Sequence, residues 1–124
     1  MRASILDLLR EIDVYLSQHA LYISNLRKAI KERKPFQHKT CRECNFGLSF
    51  YSNLYPHIDE LDPELKKLVL EVEKIHFTFH EIAHEIDTTN PREEDLSKIE
   101  EMEKLSKELM QKLLLFKRSC KVLS

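Results

Sequence analysis

Four residues of this 124-residue chain, His19, Cys44, His76 and His80, have the types and order that metal coordination requires. On an α-helix, a residue four positions after another is turned by only about 40° and lies one turn further along, so His76 and His80 can share one ion. If the helix carrying His19 faces theirs, a third imidazole approaches the same point. Cys44 then offers a thiolate from the short segment between. Three nitrogens and one sulfur suit tetrahedral Zn²⁺, which accepts both kinds of donor. The residues alone leave a second reading open, in which each buried histidine is satisfied by a polar neighbour.

A rival motif overlaps this set. His80-Glu81-Ile82-Ala83-His84 matches H-E-x-x-H, the zinc metallopeptidase signature in which the glutamate activates metal-bound water. Against it, His84 lies about 80° around the helix from His76, no third-ligand extension follows, and no segment reads as the strand that would align substrate. Glu81 and His84 are expected at the solvated edge or hydrogen-bonding behind the ligands. Cys41 precedes Cys44 by three residues but lacks the second pair that a zinc finger needs, so it reads as an exposed loop thiol, and Cys120 as a core thiol. A di-iron bundle would need inward carboxylates, and the apolar seams contain none.

Those seams are the elements that must position the ligands. Ile5, Leu9, Ile12, Leu16, His19, Ile23, Leu26 and Ile30 recur at alternating spacings of four and three. Leu65, Val69, Val72, His76, Phe79, Ala83 and Ile86 repeat the pattern behind Asp62-Pro63, an N-cap and first helical residue. Ile99, Met102, Ser106, Leu109, Leu113, Phe116 and Cys120 form a third seam, with Asn90 available as its cap. A shorter aromatic-rich helix is expected from about Cys41 to Tyr55. Pro35, Pro56, Pro63 and Pro91 fall between the segments. The expected architecture is all-α, an antiparallel four-helix bundle filling residues 1–124 as one domain.

Composition agrees. A single glycine, Gly47, argues against β-architectures with tight turns and against phosphate-cradling loops. A formal net charge of −1, with both signs interspersed, gives no field for nucleic acid or an anionic membrane. No apolar run approaches a membrane span, the first residues do not resemble a signal peptide, and three cysteines suit a reducing cytoplasm.

In order and spacing, His19, Cys44-Asn45-Phe46-Gly47 and His76-Phe77-Thr78-Phe79-His80 resemble the chemoreceptor zinc-binding (CZB) domain family, over about His19 to Ile86. The resemblance implies a bacterial, cytoplasmic four-helix sensor domain, often a homodimer, with zinc held by His19, Cys44, His76 and His80. It also implies a role in chemotaxis or cyclic-di-GMP signal transduction, through changing zinc occupancy or oxidation of the zinc-bound cysteine by hypochlorous acid. Four protein ligands would close the coordination sphere and leave no position for activated water, so no enzyme is expected. The family's usual tryptophan after Cys-x-Phe-Gly-x is Ser49 here. The family's attached signalling or catalytic segments have no counterpart in this chain, so the signal is expected to pass through a partner protein or self-association. The competing non-enzyme expectation is a helical partner-binding module with purely structural zinc.

Overall fold

A computed structural model describes residues 10–123, with side chains through residue 119; Ile5, Leu9 and the Cys120 side chain lie outside them. The described residues are helical, with no strand among them. Four α-helices form among the described residues, α1 (Ile12–Glu32), α2 (Asn45–Ser49), α3 (Pro63–His84) and α4 (Asp95–Leu123).

The seams are buried where the periodicity puts them. Ile12, His19, Ile23 and Leu26 on α1, and Leu65, Val69, Val72, His76, Phe79 and Ala83 on α3, all face inward, joined by Ile99, Met102, Leu109, Leu113 and Phe116 of α4. They divide into two apolar clusters. One gathers Ile12, Phe46, Phe50 and Leu54 with the first half of α3 and the second half of α4. The other joins Ile23 and Leu26 to Phe79, Ala83, Ile86, Ile99 and Met102. His19 and His76 fall between the two along their helices, where apolar walls exclude water from both sides.

Local chemistry sets the helix ends. Asp62 caps α3 by accepting from the Leu65 N–H at 3.0 Å, with Pro63 as first residue, as the sequence indicates. Helix α4 departs from expectation. Asn90 does not cap it; its N–H instead closes a turn on the Asp87 carbonyl at 3.1 Å, and the helix begins five residues later. There the buried Asp95 carboxylate reaches back to the Arg92 N–H at 2.7 Å. An acidic residue inside the first turn thus outcompetes the asparagine, whose own backbone is committed to the turn.

The short helix also differs from expectation. It begins at Asn45, with Cys44 as cap, then loosens into a π-turn over Phe50–Leu54 and tightens into a 3₁₀ turn over Tyr55–Glu60. Pro56 therefore lies inside a helical turn, at a starting position where its missing N–H costs nothing. The wider π-turn lets Phe50 and Leu54 both reach the core.

The one described residue with positive φ is Arg33, at 54°, closing α1 in a left-handed cap whose N–H bonds back into the last turn. A side chain there costs roughly 1–2 kcal/mol that glycine avoids. Gly47 sits elsewhere, for a different reason: a Cβ on it would lie 1.7 Å from the Cys41 carbonyl oxygen and 2.8 Å from its carbon. Alanine normally gains about 1 kcal/mol over glycine within a helix, but backbone overlap of this size outweighs that gain. Arg33→Gly is expected to stabilise the fold by about 0.5–1 kcal/mol and Gly47→Ala to destabilise it by about 1–3 kcal/mol. Urea denaturation midpoints of the two variants, moving in opposite directions, check both.

Candidate metal centre

The structure brings all four expected side chains together: one donor atom from each of His19, Cys44, His76 and His80 lies within 4.8 Å of every other. His76 Nε2 is the hub, 3.1 Å from Cys44 Sγ and 3.2 Å from His80 Nε2. Metal–nitrogen bonds of about 2.0–2.1 Å and a metal–sulfur bond of about 2.3 Å place tetrahedral donors about 3.3–3.6 Å apart. The two spacings about His76 are close to that frame. The group could hold a metal ion.

Two of the three imidazoles are aimed by what holds their far side. His19 Nδ1–H donates to the Tyr15 carbonyl one turn back on α1, at 2.8 Å. His80 Nδ1–H donates to the Lys39 carbonyl at 2.7 Å, across to the loop that follows α1. A carbonyl only accepts, so both rings carry their proton on Nδ1 and turn the Nε2 lone pair inward. His19 Nε2 is buried and has no hydrogen-bond partner. A buried unpartnered lone pair costs on the order of 1–3 kcal/mol unless something at the centre answers it.

Cys44 is held by the turn before α2. Its backbone N–H and that of Glu43 approach the Thr40 carbonyl at 3.4 and 3.1 Å, and its sulfur accepts from the Gly47 N–H at 3.3 Å. The loop itself is pinned on both sides. Lys39 N–H donates to the Tyr22 hydroxyl of α1 at 3.3 Å, His38 Nε2–H to the Ile86 carbonyl at 3.1 Å, and the Thr88 hydroxyl to the Lys34 carbonyl at 2.6 Å. Phe46 completes the wall, its ring edge-on to His76 at 4.8 Å and to His19 at 6.0 Å between centroids.

Burial dominates the electrostatics. Desolvation lowers the pKa of His19, takes that of His80 down to about 4 and that of His76 to about 2, with neighbouring imidazoles adding to the last two. The rings are neutral at pH 7, as ligands must be. Desolvation also raises the Cys44 pKa, overcoming the Gly47 and Phe46 N–H groups that favour thiolate. In the metal-free protein its proton therefore stays on.

The residues outside the set are equally informative. Cys41 is buried at 8% exposure, not the exposed loop thiol its position suggests, because the loop folds its backbone against Gly47. His84 and Glu81 are exposed, and His84 does not join the cluster; its Nε2–H donates to the Lys39 carbonyl at 3.1 Å. The pair sharing the centre is His76/His80, not the His80/His84 of the H-E-x-x-H match. Sequence reasoning missed the Tyr15 and Lys39 carbonyls, which any residue would supply, and His38, whose ring lies 5.0 Å from that of His84. Compared with protein-family models, curated proteins and solved structures, the chain matches none.

Because the native imidazoles resist protonation below the ordinary value near 6.5 while unfolded ones do not, acid draws protons onto the unfolded chain first. Stability of the metal-free protein is expected to be full above pH 7 and to fall below about pH 6.5, by about 1.4 kcal/mol per pH unit for each neutral imidazole. For His80 the loss levels off near its native value of about 4. Urea midpoints between pH 8 and pH 4.5, unchanged across that range, would contradict this account.

Proposed function

We propose that this chain is a zinc-binding sensory or regulatory domain of the chemoreceptor zinc-binding type, an antiparallel four-helix bundle with no catalytic activity of its own. The observation that carries the reading is the convergence of four donor atoms within 4.8 Å, one of them a buried nitrogen without a partner. Three imidazoles and a thiolate favour zinc over harder ions, and four protein ligands close its coordination sphere against the water that a hydrolase must activate. The order of the ligands and of Cys44-Asn45-Phe46-Gly47 along the chain supports the family reading.

In this proposal bound zinc supplies a cross-link between helices. Signalling then follows from the weakest anchor. His19, His76 and His80 belong to long helices, whereas Cys44 caps one of five residues. Loss of its bond releases α2 and the Phe46 wall, changing a surface read by a second copy or a separate signalling protein. Falling zinc breaks that bond by mass action. Hypochlorous acid does so chemically, when the sulfur gives up two electrons, takes the oxygen to become a sulfenic acid and leaves chloride.

Burial places the pH dependence of binding on the thiol rather than on the histidines. With the rings already neutral, zinc uptake near pH 7 should release about one proton, from Cys44, and affinity should fall about tenfold per pH unit between pH 8 and pH 6. Calorimetry in buffers of different ionisation heat counts that proton; release near zero would mean Cys44 is not a ligand. Elemental analysis of gently purified protein is expected to find about one zinc per chain, lost in Cys44→Ala and in His76→Ala. Zinc retained in both variants overturns the site. If removing the zinc or oxidising the site leaves helix packing and oligomeric state unchanged, the sensory reading loses its mechanism.

A further inference from the structure

The residues of the H-E-x-x-H match remain to be explained, and they share a cleft. His80, Glu81 and His84 line a hollow of about 360 Å³ together with Cys41, Arg42 and Phe77. One of its walls is His80, a member of the four-residue centre, so the hollow lies against that centre across the His80 ring. It contains two further soft donors. Cys41 is a free thiol three residues from Cys44 in the same turn, and the Cys44 sulfur lies 3.9 Å from the Cys41 carbonyl oxygen. His84 spends its Nε2–H on the Lys39 carbonyl and so keeps a lone pair on Nδ1.

A second hollow, of about 310 Å³, touches the centre at His19, Cys44 and His80. Its remaining lining includes the amides of Gln18, Asn25 and Asn45 and the ammonium of Lys39, with no further thiol or imidazole. That side offers an ion no soft donor beyond the centre's own. In the first hollow Glu81 offers a negative charge, and the Arg42 guanidinium is drawn over the Tyr51 ring, 4.0 Å from its centroid.

We propose that Cys41 and His84 form a transit site for zinc, passing the ion between solvent and the buried centre through the cleft they line. The inference rests on the zinc reading above and supplies its missing step. An ion enclosed by four buried ligands leaves slowly if each bond must break unassisted, but zinc accepts a fifth ligand in passing. Cys41 and His84 can take hold of the ion while Cys44 or His80 lets go. One bond forms as another breaks: Cys41 passes its thiol proton to Cys44 as it takes the ion, and takes one back from solvent when the ion leaves. The centre fixes the affinity and the transit pair fixes the exchange rate.

Zinc-loaded full-length protein mixed with excess EDTA tests this, with the loss of zinc followed in time and the equilibrium affinity measured separately. Serine at 41 removes the soft donor, and glutamine at 84 keeps a hydrogen-bond donor for the Lys39 carbonyl while removing the imidazole lone pair. The Cys41→Ser/His84→Gln double variant is expected to bind zinc within about threefold of wild type yet release it at least about tenfold more slowly. Asn25→Leu, in the second hollow, is expected to leave the rate unchanged. A double variant that releases zinc at the wild-type rate, or an Asn25→Leu variant equally slowed, overturns the transit site. So does an affinity change as large as the rate change, which would make the pair part of the centre. Failure of the zinc reading registers separately, as wild-type protein without zinc.

Discussion

Lone pairs directed into a dry interior repel one another and go unanswered unless they share a cation or a proton. In this chain such convergence is enforced from behind, because the Nδ1–H groups of His19 and His80 are tied to main-chain carbonyls and leave only Nε2 free to face inward. Burial then denies the rings a proton, the one remedy that solvent could offer. The packing of α1, α2 and α3 around Phe46 and Phe79 therefore creates an electrostatic problem at its middle to which a soft divalent ion is the natural answer.

The two apolar clusters share that burden unequally. Between them they hold the three long helices together through contacts that require no ion, so α1, α3 and α4 have reasons to associate whatever occupies the centre. The segment from Cys44 to Glu60 is different in kind, a succession of α, π and 3₁₀ turns none longer than six residues. It is tied to the rest of the fold by Phe46, Phe50 and Leu54 in the core, by the Tyr51 hydroxyl donating to Glu73, and by the Cys44 sulfur beside His76. The region most sensitive to the state of the centre is thus also the one with the least independent means of keeping its shape.

Much of this was legible from residue order. Helical periodicity places His19 and His76 on seams, and the four-residue step to His80 fixes the pair, because side-chain direction on a helix follows from spacing alone. The cap at Asp62-Pro63 was readable for the same local reason. The cap of α4 was not, because Asn90 and Asp95 are both good candidates and the choice was settled by a turn on Asp87 and by the burial of Asp95. Cys41 was misjudged because its burial depends on a backbone meeting Gly47 that no pattern of side chains announces. The carbonyls behind the histidines belong to this second class.

The Lys39 carbonyl accepts from both His80 and His84. A main-chain oxygen is supplied by every amino acid, so the identity of the residue at 39 carries almost none of this function, while its position along the thread carries all of it. What the chain must keep is the count of residues from the end of α1 at Glu32 to the cap at Cys44. A substitution at 39 would spare the orientation of the rings, whereas one inserted or deleted residue in that stretch would present a different oxygen, or an N–H, to the same two imidazoles. The centre is thus written partly in letters and partly in length.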